Sequence, residues 1–74
     1  MRYVLLYIDE EGNWIAEAPS LPGCSSNGAT REEAIERIRE AIGATIEALM
    51  QDDLPVPEEF AQCELVSVEA LPAN

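Results

Sequence analysis

The feature that most constrains this chain is the segment 21–34, LPGCSSNGATREEA, in which two turn signals run directly into a helix start. Leu21-Pro22-Gly23-Cys24 fits a type II turn, because proline fixes φ near about −65° and glycine accepts the positive φ that follows. Asn27-Gly28 predicts a second position with positive φ. The segment is therefore predicted to reverse the chain and to deliver it into a helix at a fixed angle.

The helix itself is predicted from its cap and its periodicity. Thr30 is a good N-cap, and Glu33 three residues later completes a capping box in which the glutamate reaches back to the Thr30 amide. Glu33 and Arg37 form a favourable i,i+4 pair. Asp52, Asp53 and the segment LPVP at 54–57 end the helix. Its predicted buried face follows helical spacing and comprises Ala34, Ile35, Ile38, Ala41, Ile42, Thr45, Ile46 and Leu49.

Strands are predicted on both sides of this helix. Residues 2–9 and 13–18 are predicted to form the two strands of a hairpin, whose turn uses Gly12 for a positive φ. A short third strand is predicted around 24–26, and a last strand over 62–70. The order β-β-(β)-α-β predicts an α+β fold, in which an antiparallel sheet of three to four strands is covered by one helix. Residues 1–74 form a single domain.

The first predicted strand is apolar on both of its faces. Tyr3, Leu5 and Tyr7 alternate with Val4, Leu6 and Ile8. Since one helix covers only one face of a sheet, we expect a homodimer or a multiple of one to cover the other. The alternative is that the tyrosine hydroxyls simply turn that face toward water.

The charge of the chain restricts its partners. Four arginines and no lysine or histidine stand against fifteen carboxylates, for a net charge of −11. Nucleic acids and anionic membranes repel such a surface, so the charge serves either solubility or a basic protein partner. The N-terminal apolar run stops before Asp9 and is too short for a signal or membrane segment. With two cysteines and no such signal, we expect free thiols and a cytoplasmic location.

Catalytic residue patterns are weak. Without histidine, Cys24 has no partner for nucleophilic chemistry, and we interpret it as a packed side chain. Asp9, Glu10 and Glu17 are acids of the hairpin, and such acids are more typical of a solvated turn than of a metal site, which needs carboxylates that converge from several elements. We therefore expect no enzyme activity, no metal and no cofactor.

The ordered combination of turns, cap and helix is also a family pattern. The run WIAEAPSLPGCSSNGATREEAIERIREAI resembles the core of the HicB family of antitoxins, and the LPVPEE run resembles the end of the family's helix region. The resemblance covers residues 3 to about 70. It rests on Trp14, Ala16, Pro19, Leu21, Pro22, Gly23, Cys24, Gly28, Thr30, Glu32, Glu33 and Ala34.

The resemblance implies a fold and a function. HicB-like domains have a partial RNase H-like fold and commonly neutralise a small basic RNA-cleaving toxin, HicA. Many also carry a C-terminal DNA-binding domain that represses their operon; this sequence stops after the last predicted strand, so we expect action by protein contact alone. The alternative is an orphan, self-associating domain with no toxin.

Two groups of residues follow from this interpretation. The expected partner-binding residues are Asp9, Glu10, Glu11, Trp14 and Glu17. The expected structural motif comprises Pro19, Pro22, Gly23, Cys24, Gly28, Thr30, Glu33 and Ala34.

Overall fold

A computed structural model, which describes residues 1–73, shows a three-stranded sheet and one helix. The strands are β1 (Leu5–Ile8), β2 (Trp14–Glu17) and β3 (Ser25–Gly28), and the helix is α1 (Arg31–Gln51). The sheet is antiparallel with the spatial order β1-β2-β3. The predicted α+β class is confirmed, with the element order β-β-β-α. The relation of this arrangement to RNase H stays a prediction.

The hairpin between β1 and β2 is closed by Asp9. The Asp9 amide donates to the Asn13 carbonyl at 2.9 Å, and the Gly12 amide donates to the Asp9 carbonyl at 3.1 Å. The Asp9 carboxylate oxygen Oδ1 accepts from the amides of Glu11 and Asn13 at 3.0 and 2.9 Å. Gly12 has φ +85°, as predicted. An aspartate that bonds the backbone two residues on is a common device for stabilising such turns.

The predicted turn at Leu21-Pro22-Gly23-Cys24 is confirmed. The Cys24 amide donates to the Leu21 carbonyl at 3.0 Å, and Gly23 has φ +80°, the positive value that the third residue of a type II turn requires. The Ala18 amide donates to the Cys24 carbonyl at 3.0 Å and closes the base of the loop. This geometry turns the Leu21 side chain into the core, where it is 1% exposed.

The predicted positive φ at Asn27-Gly28 is wrong. Both residues lie in β3, and neither has a positive φ. Gly28 is needed for a different reason: a Cβ atom at this position would lie 2.7 Å from the Ala34 amide nitrogen and 3.0 Å from the Glu33 Cβ. A side chain is excluded because β3 passes directly against the first turn of α1.

The helix begins and is capped where the sequence predicts. The Thr30 hydroxyl accepts a hydrogen bond from the Glu33 amide at 3.1 Å, and Thr30 has the extended backbone of an N-cap. The predicted return bond from the Thr30 amide to Glu33 is not formed within residues 1–73. The Glu33 carboxylate instead lies 3.0 Å from the Arg37 guanidinium, as the predicted i,i+4 pair. The ion pair competes with the return bond for the same carboxylate.

Replacing Thr30 with alanine is expected to lower the free energy of unfolding by about 1 kcal/mol, because the Glu33 amide loses its acceptor. Urea denaturation followed by circular dichroism measures the change. Thr30→Ser is the matched control, since it keeps the hydroxyl, and should stay close to wild type. Equal losses in both variants would mean that the hydroxyl does not cap the helix.

The helix ends in a Schellman arrangement. The Asp53 amide donates to the Met50 carbonyl at 3.2 Å, and the Leu54 amide donates to the Leu49 carbonyl at 2.9 Å. Asp53 has φ +54°, a left-handed conformation that aspartate tolerates better than most residues other than glycine. The predicted end of the helix before Asp52 is therefore confirmed.

The core lies between α1 and one face of the sheet. Cross-strand pairing puts Leu6 opposite Ala16 and Ile8 opposite Trp14 on this inner face. Every residue of the predicted buried helix face is buried or half-buried. The fully packed side chains are small or aliphatic: Ala16, Ala18, Leu21, Cys24, Ala34 and Ile38.

The last predicted strand is wrong for the single chain. Residues 62–70 have no strand structure, and all of them are exposed. Leu65 and Val68 keep 86% and 82% of their surface in contact with solvent. Strand propensity mostly measures how well a residue fits a half-buried pleated surface, and none of residues 1–73 buries the segment. We call residues 61–73 the C-terminal tail.

The connection from α1 to the tail is anchored by Glu59. Its carboxylate oxygen Oε2 accepts from the Tyr3 amide at 2.7 Å and from the Ser20 hydroxyl at 3.2 Å, and the Arg2 guanidinium donates to the same hydroxyl at 3.2 Å. Partial desolvation acts to raise the pKa of Glu59, but the bonds from the Phe60 and Tyr3 amides outweigh it and leave the pKa lowered. This carboxylate joins the start of β1, the β2–β3 loop and the connection.

The lowered pKa of Glu59 predicts a pH effect. When the pKa of a carboxylate is lower in the folded than in the unfolded state, the carboxylate stabilises the fold at pH values above its ordinary pKa of 4.5. This stability is lost as the pH falls through the lowered pKa. Glu59→Gln should therefore be less stable than wild type at pH 7, and the difference should shrink toward acid pH. Glu58→Gln, which removes a neighbouring exposed carboxylate, is the control. A difference that does not depend on pH would contradict this role.

Candidate functional site

The sheet has an outer face that no element of the described chain covers. Leu5 pairs with Glu17 and Tyr7 pairs with Ile15, so these four side chains share the face turned away from α1. Tyr3 and Tyr7 are 46% and 41% exposed. Exposed aromatic side chains that offer both apolar area and a hydroxyl are characteristic of protein interfaces. We call Tyr3, Leu5, Tyr7, Ile15 and Glu17 the outer face.

Tyr7 and Glu17 interact directly on this face. The Tyr7 hydroxyl donates a hydrogen bond to the Glu17 carboxylate at 3.1 Å. This bond, together with desolvation and the negative charges of Glu17 and Asp9, raises the pKa of the Tyr7 hydroxyl. The hydroxyl therefore stays protonated over the physiological pH range and remains a hydrogen-bond donor to Glu17.

The hairpin tip adds negative charge at one end of the outer face. Glu10 and Glu11 are exposed, whereas Asp9 is half-buried. Oδ1 of Asp9 is occupied by the amides of its own turn, so this carboxylate is held in place at the tip. The tip lies beyond the Tyr7 end of the outer face, and Glu17 lies on that face in contact with Tyr7. We call the tip and the outer face together the acidic-aromatic surface.

The five predicted partner-binding residues do not all lie on one face. The structure groups Asp9, Glu10 and Glu11 at the hairpin tip and places Glu17 on the outer face. Trp14 lies on the opposite, inner face, half-buried against the core. Strand alternation separates Trp14 from Glu17, because residues an odd number of positions apart point to opposite faces.

The predicted structural motif surrounds the junction of sheet and helix. Cys24 is buried, as expected, and accepts a weak bond from the Thr45 hydroxyl at 3.8 Å. Ala34 is fully buried against β3, and Ser26 of that strand donates to the Ala34 carbonyl at 3.1 Å. Pro19 and Pro22 are exposed in the loop. The motif therefore organises the fold and leaves the outer face for contact.

Sequence reasoning did not identify a second surface, on the helix side of β1. Val4, Leu6, Ile42 and Ile46 line a groove of about 600 Å³ there. Arg2 and Arg39 also line it. The concentration of apolar residues in strand 1 was visible in the sequence, but the position of the helix over the sheet was not. We call this the β1–α1 groove.

Metal-binding clusters and membrane-spanning helices are both absent from the described residues. Among residues 1–73 there is no group of three or more cysteine, aspartate and glutamate side chains placed to hold a metal ion. In the same part of the chain, no helix combines the length and the apolar character that a membrane span needs.

Known proteins resemble this chain over most of its length. UPF0150 protein Ta0767 of Thermoplasma acidophilum is 40% identical over 63 residues, which is 84% of this chain and 91% of that protein. UPF0150 protein ssr1765 of Synechocystis is 48% identical over 56 residues, covering 76% of this chain and 71% of that protein. UPF0150 protein ssr1258, also of Synechocystis, is 38% identical over 66 residues, covering 89% and 91%.

No solved structure gives a significant match. The family model described as HicB_like antitoxin of bacterial toxin-antitoxin system matches residues 3–71, nearly the whole chain, and so includes the turn, cap and helix described above. The chain therefore belongs to the HicB-like antitoxin family of bacterial toxin–antitoxin systems.

Proposed function

We propose that this protein binds and neutralises a small basic, RNA-cleaving toxin of the HicA type through protein contact alone, in the cytoplasm. The observation that carries the proposal is the acidic-aromatic surface, which combines exposed tyrosines with carboxylates. A toxin that contacts RNA needs a basic surface, and an acidic partner is complementary to that surface. Neither catalysis nor direct nucleic-acid binding has a part in this function.

The charge distribution supports such a partner. With a net charge of −11, the chain creates a negative field that speeds the approach of a basic protein. Exposed charges are screened beyond about 8 Å at physiological ionic strength, so binding should weaken strongly as salt is raised. The exposed helix face adds to this field through Glu32, Glu36, Glu40 and Glu47.

Particular residues have distinct parts in the proposal. Glu10, Glu11 and Glu17 offer charge to the toxin, and Asp9 shapes the tip that presents two of them. Trp14 supports the hairpin from the inner side rather than touching the partner. Tyr7 holds Glu17 in place and supplies apolar area, since buried aromatic anchors carry much of the energy of protein interfaces.

Self-association is part of the same proposal. Tyr3, Tyr7 and Ile8 of the first strand region are all more than 40% exposed, so both sides of β1 retain uncovered apolar surface. A chain of 74 residues gains considerably from burying such surface against another copy. If no toxin exists, the protein functions as a self-associating orphan domain. The exposed apolar surface of β1 favours this alternative as well.

Co-expression with any small basic protein that an adjacent reading frame encodes, followed by co-purification at low and high salt, tests the proposal. We expect a complex at low salt that weakens at high salt. Glu10→Lys combined with Glu11→Lys should weaken it at least about tenfold, through like-charge contacts. Glu36→Lys combined with Glu40→Lys makes the same charge change on the helix and is the matched control.

The outcomes distinguish the possibilities. Equal loss in both double variants would mean that only the total charge matters and that the tip is not the contact. Failure to co-purify with the adjacent basic protein would favour the orphan domain. Tight binding of the chain to its own promoter DNA in a gel shift would contradict action by protein contact alone.

A further inference from the structure

The β1–α1 groove is an unfilled part of the core layer. Because α1 packs chiefly against β3 and β2, the inner face of β1 is only partly covered along its free edge. Val4 and Leu6 from the strand side face Ile42 and Ile46 from the helix across this gap, and each is only half-buried. Such a groove between a sheet edge and a helix has room for one further extended segment.

The groove also holds positive charge that is rare in this protein. Two of the four arginines, Arg31 and Arg37, lie beside Glu32 and Glu33 on the helix surface. The other two, Arg2 and Arg39, line the groove. Within residues 1–73 Arg39 makes no ion pair. The occupant that fits this site is therefore an apolar segment with acidic residues.

The C-terminal tail has that composition. Val66, Val68 and Ala70 alternate along one side of it, Glu64 and Glu69 are acidic, and no lysine or arginine follows Arg39 in the sequence. Within residues 1–73 the whole tail is exposed, and its first part, Cys63–Leu65, lies beside Tyr3–Leu5 without being buried there. The described chain has a radius of gyration of 14.7 Å, whereas a compact chain of this length would have about 11 Å.

We propose that residues 62–71 of a second copy of this chain lie in the β1–α1 groove, extended along the free edge of β1, and that the two copies exchange tails reciprocally. Val66, Val68 and Ala70 then cover Val4, Leu6 and Ile42, the backbone of β1 gains hydrogen-bonding partners, and the acidic groups of the tail lie near Arg2 and Arg39. An extended segment added at a sheet edge is a common mode of peptide recognition.

The path of the chain directs the tail to another copy rather than back to its own groove. Glu59 is bound to the Tyr3 amide and to Ser20, which fixes the connection at the start of β1. Beyond it, Cys63–Leu65 lie beside Tyr3–Leu5 and Pro19, in a depression that shares only Val4 with the β1–α1 groove. From there the exposed tail projects away from the domain, and the longest dimension of the molecule is 45 Å. The inference deepens the self-association proposed above and does not depend on the toxin.

Sedimentation equilibrium of the purified full chain tests the exchange. Val68→Asp should raise the dimer dissociation constant at least about tenfold, because a carboxylate would replace an apolar side chain that covers Val4, Leu6 and Ile42. Ala73→Asp adds the same charge beyond the proposed contact and should change the constant less than about twofold. Val68 is 82% exposed in the single chain, so the substitution leaves the monomer folded.

A disulfide trap identifies the occupant. In a Cys63→Ser background, Val68→Cys combined with Ile42→Cys, or with Leu6→Cys, should oxidise to a species of twice the 8.1 kDa chain mass on a non-reducing gel. Cross-linking within one chain, or no cross-link with either pair, would overturn the tail exchange. A dimer whose dissociation constant is unchanged by Val68→Asp would overturn the tail exchange but not self-association. A monomeric wild-type protein would overturn both the tail exchange and self-association.

Discussion

Replacing Gly28 with alanine is expected to lower the free energy of unfolding by about 2–3 kcal/mol. The added Cβ would lie 2.7 Å from the Ala34 amide nitrogen and 3.1 Å from the Glu33 carbonyl carbon. Both neighbours are backbone atoms of the first turn of α1, so they cannot move away as a flexible side chain would. Relief requires the start of the helix to shift away from β3, which disturbs the packing of Ala34.

Gly43→Ala is the matched control for this prediction. Gly43 lies on the exposed side of α1, and a Cβ there would meet nothing within 4 Å. Alanine favours the helix over glycine, so this variant should be more stable than wild type by up to about 1 kcal/mol. Chemical denaturation of both variants measures the contrast. A Gly28→Ala protein as stable as wild type would show that β3 and α1 do not approach each other this closely.

Replacing Leu21 with alanine is expected to cost about 3 kcal/mol of unfolding free energy. Leu21 is 1% exposed and belongs, with Ile38, to the largest side chains that are fully buried. Small alanines supply much of the remaining core, so the loss of one leucine removes a large share of its volume. In a domain this small, such a loss is a sizeable fraction of the total stability.

Leu54→Ala is the control for the leucine prediction, since Leu54 follows the helix and is 52% exposed. Its unfolding free energy should stay within about 0.5 kcal/mol of wild type. If Leu21→Ala and Leu54→Ala had the same small effect, the turn at Leu21–Cys24 would be a surface loop rather than part of the core.

The candidate surface was only partly predictable from the sequence. The acidic residues at the hairpin tip follow directly from the DEEGN turn, and the structure groups them as expected. The grouping of Trp14 with Glu17 was a weaker inference, because strand alternation places them on opposite faces. The contact between Tyr7 and Glu17 depends on which residues pair across β1 and β2, and this register follows from the length of the closed turn.

Local signals alone determined the helix and its boundaries, the hairpin at Gly12 and the type II turn at Gly23. Caps, turns and helical periodicity act between residues a few positions apart, so their chemistry is present in the sequence without knowledge of the rest of the fold. The tertiary structure decided the remaining features. Gly28 is required by the approach of β3 to α1, and segment 62–70 stays exposed despite its strand-like composition. Both outcomes depend on which surfaces meet in space, because close packing and burial are set by distant parts of the chain.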